Sequence, residues 1–249
     1  MKLFYIAVIL FTISSCSKDG TSGENTLGSG APGSGKGGSL ARFTIVGNYM
    51  YAVDDQSLNV YNIADPANTF IANTVHLNFG VETVFPYNDK LFIGAREGMY
   101  IYSISDPASP VLLGQAIHLR SCDPVVANAT NAFVTLRGNQ PCGPATDGLY
   151  IYNTSNALTP VLIKQYNMPT PHGLGLQDSV LYVCQKDNGM SIFNISNPAV
   201  PILRKRITDK VFEDVICYDD LLICYVSTGL ALYNISVRAN PVFISAINN

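Results

Sequence analysis

VYNIADP (60–66), IYSISDP (101–107), IYNTSNA (151–157), IFNISNP (192–198) and LYNISVR (232–238) are five renderings of one phrase. Its aromatic falls at Tyr61, Tyr102, Tyr152, Phe193 and Tyr233, with spacings of 41, 50, 41 and 40 residues. A period near 40 is that of one four-stranded propeller blade. Between the phrases run short alternating β-branched and aromatic stretches, punctuated by Gly, Asn, Asp and Pro. No segment keeps a 3.6-residue apolar period, so the chain reads as all-β.

The second copy supplies the template. Strand A is expected near 82–87 and strand B near 90–95, separated by a turn at Asn88 and Asp89. Strand C is expected at 99–104, closed by the Asp106-Pro107 corner, and strand D at 110–119. A glycine precedes strand C at Gly98, Gly148, Gly189 and Gly229, where a positive φ would account for it. Pro66 and Pro198 repeat the proline after strand C, a place that needs no ladder hydrogen bond. Phrase and period resemble the LVIVD-repeat family of β-propellers over residues 41–249. The runs SCDPVV (121–126) and PHGLGL (171–176) are similar to stretches in its lipoprotein members. The resemblance implies the fold; it implies no activity.

The body, 40–249, therefore predicts five blades of four antiparallel strands, at about 41–80, 81–121, 122–170, 171–211 and 212–249. No swapped strand is available, so closure of the ring is expected to rest on blade-to-blade packing; an open β-solenoid is the structural alternative.

The N-terminus bears on compartment. Met1 and Lys2 precede an apolar run over 3–11, far short of the roughly 20 residues of a membrane-spanning helix, so 1–15 reads as an export signal. The ending ISSC resembles the bacterial lipoprotein signal, which implies lipidation of Cys16. Ser17 then implies the outer membrane, and the following Lys18-Asp19 faintly resembles surface-export signals of Bacteroidetes-type lipoproteins. Residues 16–39 are nearly all small and polar, a flexible tether with a reach of roughly 25 Å. Gly30, Gly35 and Lys36 imitate a phosphate-binding loop, but Gly37 replaces the magnesium-binding hydroxyl and no strand or helix pattern flanks them.

The chain is 47% hydrophobic and 13% charged with a net charge of −3. That composition suits a folded body and gives no electrostatic case for nucleic acid. A monomer is expected. Five cysteines besides Cys16 would meet an oxidising environment after export. Cys142 lies in the insertion that lengthens the third copy and Cys122 just before its strand A, so a disulfide between them is expected, worth roughly 3 kcal/mol. Cys184 and Cys224 read as equivalent small residues of strand B, and with Cys217 as buried thiols.

Function is sought where the copies differ. Glu82, Asp123, His172 and Glu213 align at the start of strand A, where a propeller opens its central channel; copy one has Ala41 or Arg42 there. Such a ring could hold a divalent cation, since carboxylate oxygens and imidazole suit one. It could equally supply an acid–base pair for a polysaccharide hydrolase or lyase, with Glu82, Asp123 and Glu213 as carboxylates and His172 assisting. Fourteen residues after the first three members stand Arg96, Arg137 and Lys186, which predicts cross-strand ion pairs within a hairpin. The fifth copy carries Val226 and no cation at that point, leaving Glu213 and Asp214 without such a partner. His172 fits no pairing role and is the prime candidate; His76 and His118 read as structural. The leading expectation is a lipid-anchored binding or scaffolding propeller with no catalytic constellation, whose channel-mouth face takes a protein or glycan.

Overall fold

The computed structural model describes residues 37–77, 80–118, 124–138 and 146–249. Cys16, expected to be lipidated, the expected tether up to residue 36, Asp123, and Cys122 and Cys142 with their expected disulfide lie outside them. Blade 1 comprises β1 (Phe43–Val46), β2 (Tyr49–Val53), β3 (Ser57–Asn62) and β4 (Phe70–His76). Blade 2 comprises β5 (Val81–Tyr87), β6 (Lys90–Ala95), β7 (Gly98–Ser103) and β8 (Val111–Ile117). Blade 3 comprises β9 (Val125–Ala127), β10 (Asn131–Leu136), β11 (Gly148–Asn153) and β12 (Val161–Asn167). Blade 4 comprises β13 (Leu174–Gln177), β14 (Val180–Cys184), β15 (Met190–Asn194) and β16 (Ile202–Ile207). Blade 5 comprises β17 (Phe212–Tyr218), β18 (Leu221–Val226), β19 (Gly229–Asn234) and β20 (Val242–Asn248). Each is an antiparallel sheet with its strands in chain order. The chain is an all-β five-bladed propeller.

The repeated phrase has a physical reading. Asn62, Asn153, Asn194 and Asn234 each accept the backbone N–H two residues on, an Asx turn that ends strand C. Asp65, Asp106, Asn156 and Asn197 repeat the device at the next corner. Between the two turns, the N–H groups of Ile63, Ile104, Thr154, Ile195 and Ile235 each donate to a carbonyl in their own blade's A–B turn. Opposite the aromatic, strand D carries a bulge in all five blades. The phrase therefore builds the outer corner of a blade.

The positive φ expected of the glycine before strand C is present in two of the four copies, and a second reason holds in all four. φ is positive at Gly189 (83°) and Gly229 (130°) only. At all four positions a Cβ would run into strand D, at 2.5 Å from the Ala116 carbonyl oxygen for Gly98 and 2.8 Å from that of Tyr166 for Gly148. Close approach of two backbones excludes any side chain.

Alternation along each strand gives every blade two faces. One looks toward the following blade (Tyr51 and Leu58 in blade 1), the other toward the preceding blade (Leu91 and Tyr102 in blade 2). Four apolar clusters result, joining blades 1–2, 2–3, 3–4 and 4–5. Among the described residues no cluster joins blade 5 to blade 1, which corrects the expectation of closure by packing. The faces there lie open, with Phe43 59% and Tyr225 55% exposed. The link is instead the lead-in 37–41. The Ser39 hydroxyl donates to Asp214 Oδ1 at 3.0 Å and accepts the Leu174 N–H at 2.7 Å, while the Ala41 carbonyl accepts the Val84 N–H at 2.9 Å. This short segment ties blade 1 to the innermost strands of blades 2, 4 and 5.

Candidate functional site at the channel mouth

Glu82 and Glu213 each sit on a bulge of the innermost strand, where Val81/Thr83 and Phe212/Asp214 break the register. A bulge leaves one residue unpaired and re-aims its side chain. Of the expected hairpin ion pairs, Glu82–Arg96 is present as one 3.4 Å contact, with the arginine side chain 45% exposed. A screened pair of this kind contributes little, on the order of 0–1 kcal/mol.

His172 and Glu213 depart from the expected pattern: their cations come from the preceding blade. Arg137 Nη1 of blade 3 lies 2.8 Å from His172 Nε2 of blade 4. Arginine only donates, so Nε2 holds the lone pair and the ring proton is assigned to Nδ1. That nitrogen faces the Glu213 carbonyl at 3.2 Å and Glu213 Oε2 at 3.5 Å, both in blade 5. Lys186 Nζ of blade 4 approaches the same Oε2 at 3.8 Å. Glu213 is therefore not left without a cation, although Val226 and Ser227 stand where its own hairpin would supply one. A two-way backbone bridge between Lys186 and Phe212 fixes the geometry.

The backbone of His172 is equally committed, its N–H to the Cys184 carbonyl at 2.8 Å and its carbonyl to the Thr135 hydroxyl at 2.5 Å. Burial, with Arg137 and Lys186 close by, lowers its pKa from 6.5 to about 4. The residue is thus a neutral joint across three blades and offers no open ring nitrogen.

Beside this joint a polar cavity of about 160 Å³ is lined by Arg137, Gly138, Asp147, Thr170 and Lys186. Asp147 is its acidic wall, yet its oxygens accept the N–H groups of Gly138 at 2.7 Å and Thr170 at 3.2 Å. Residues 170 and 186 take positive φ values of 42° and 48°, turning the loops into the cavity. Thr135, Asp147 and Thr170 carried no signal that sequence reasoning picked up; Asp147, at the end of the insertion in copy three, was the one within reach.

Asp214 points elsewhere. Its carboxylate lies against Gly38 and Gly173, where neither could carry a Cβ, and accepts from Ser39 and, at 3.4 Å, from the Leu40 N–H. Burial raises its pKa from 3.8 to about 6 against the pull of these hydrogen bonds. Among the described residues no three His, Cys, Asp or Glu side chains come together as a metal would require.

The thiols need one correction. Cys184 pairs with Met190 and is equivalent to Tyr225, which pairs with Leu230. Cys184 and Cys224 therefore lie on opposite faces of their blades and meet in the same cluster between blades 4 and 5. Both are buried and free, and desolvation raises both thiols. Cys217 is half-buried and lines a channel cavity of about 130 Å³ with Gly37, Phe85 and Leu176.

Blades and mouth together define a repeat β-propeller. Two of the repeats match the profile of the LVIVD repeat, at residues 87–116 and 178–209, the stretches from strand B through strand D of blades 2 and 4. No curated protein matches in sequence. Among solved structures the chain superposes on a Lactobacillus plantarum protein with a TM-score of 0.63 at 13% identity, over 81% of this chain and 68% of that one. The periplasmic gluconolactonase PpgL of Pseudomonas aeruginosa gives 0.63 at 10% identity, over 81% and 68%. Apo AztD from Citrobacter koseri gives 0.53 at 12%, over 83% and 64%. At such identities the likeness is one of fold.

Proposed function

We propose that the chain is a lipid-anchored protein of the cell envelope, held at the outer membrane through Cys16, whose channel-mouth face binds carboxylate-bearing glycans without turning them over. The observation that carries this reading is the polar cavity with Arg137 and Lys186 on its walls. Its one carboxylate, Asp147, is already satisfied by backbone N–H groups, so the cavity offers cationic donors to an incoming acid. The neutral His172 adds no positive charge and holds the loops of blades 3, 4 and 5 in place. Site geometry that is fixed before the ligand arrives favours binding, because little ordering cost remains.

The hydrolase or lyase alternative needs a carboxylate held protonated at the mouth. Among the described residues the carboxylate with a raised pKa is Asp214, and it faces Ser39 rather than the cavity. Titration calorimetry of the full chain with a uronic-acid oligosaccharide tests the proposal. Binding that weakens about tenfold or more in Lys186→Ala, the scale of one charge-assisted hydrogen bond, supports it. Equal binding of a neutral oligosaccharide, or an unchanged affinity in the variant, defeats it; turnover of the ligand would move the reading to the enzyme.

A further inference from the structure

The two ends of the blade series are built as interfaces. In blades 1–4, the strand-C residue that looks toward the following blade is Leu58, Met99, Leu149 or Met190, and all four are 0% exposed. The equivalent in blade 5 is Leu230, 38% exposed. Beside it on the same face stand Tyr225, Ile223 and Leu232, all apolar and all at positions that the inner blades bury.

The face of blade 1 that would meet a preceding blade shows the same contrast. Phe43 pairs with Ala52, as Val84 pairs with Ile93, Val125 with Val134, Leu174 with Val183 and Val215 with Cys224. Those four partners of strand B lie against residues no more than 1% exposed, whereas Phe43 is 59% exposed. Ile45, next on that face, is 37% exposed. Large apolar side chains left open at both ends are not what an isolated soluble surface shows.

What covers such a face is already on view four times: the complementary face of the next blade. This chain carries one unused copy of each. We infer that blade 5 of one molecule docks against blade 1 of a second copy, extending the blade series from chain to chain, in departure from the monomer expected from sequence. The contact is heterologous, since the two surfaces differ, so each molecule presents one donor and one acceptor end. The lead-in 37–41 does not stand in the way, because it runs along the innermost strands and leaves Phe43 and Tyr225 open.

Phe43→Asp disables the blade 1 end and Leu230→Asp the blade 5 end, each at an exposed position that the single chain tolerates. Sedimentation velocity on the full chain, in a detergent that keeps a lipid anchor dispersed, reads the outcome. The wild type should associate with rising concentration. Either variant alone should stay monomeric, its association weakened by roughly a hundredfold or more by the unpaired buried charge. An equimolar mixture should form a 1:1 dimer that grows no further, because one intact end of each kind remains; that recovery also shows both variants folded. A wild type that is monomeric throughout, as it would be if its own blades 1 and 5 closed on each other or another protein were the occupant, overturns the inference. So does a mixture of folded variants that fails to dimerise.

Discussion

His172→Gln and Asp214→Asn are predicted to tilt the pH dependence of stability in opposite directions relative to the wild type. His172 titrates at about 4 in the folded chain against 6.5 when free. Between those values the unfolded state binds more protons, so this residue makes stability rise with pH. Asp214 titrates at about 6 against 3.8 when free. There the folded state binds more protons, so its contribution is present at low pH and is lost as pH rises through 6. A tenfold change in proton affinity corresponds to about 1.36 kcal/mol, so each residue contributes about 3 kcal/mol, and the two cancel over nearly the same window. Asp214→Asn removes the falling component while keeping an oxygen for the Ser39 hydroxyl, so stability should climb from pH 4 to 6.5. His172→Gln removes the rising component, and stability should decline over the same range. Guanidinium unfolding at constant ionic strength reads both. Two variants that share the wild-type slope, or whose slopes are exchanged, would refute the burial assigned to these groups.

Ser39→Ala removes a donor to Asp214 and leaves the Leu174 N–H without its acceptor, so a loss of about 1–3 kcal/mol is expected in denaturant melts; an unchanged midpoint would mean that the lead-in does not fasten blade 1. Alkylation of the native chain followed by mass mapping should label Cys217 well before Cys184 and Cys224, which are buried and hard to ionise. Equal labelling of the three would contradict the packing between blades 4 and 5.

Blade count and strand order were legible in the sequence because Asx turns, apolar alternation and the close-approach glycine recur with the phrase. Each of these is a local device and leaves a local trace. The mouth was only half legible. Glu82 and Arg96 belong to one hairpin, and a constant offset was enough to pair them. Arg137 with His172, and Lys186 with Glu213, join different blades, so their pairing depends on how far one blade is rotated against the next. Nothing in a single repeat encodes that rotation. The same blindness misplaced Cys224, since a one-residue difference in hairpin length flips a side chain to the other face. Asp214 reads in sequence as a mouth residue beside Glu213; its neighbour is the wrong guide on a bulged strand, and its real partner, Ser39, lies 175 positions away.

The most direct test of the mouth as a binding face is the position of an acidic oligosaccharide in crystals of the full chain. Its carboxylate is expected in the cavity between Arg137 and Lys186, within hydrogen-bonding distance of at least one of them. A saccharide lodged elsewhere on the propeller, or a cavity left empty at saturating ligand, would contradict the account.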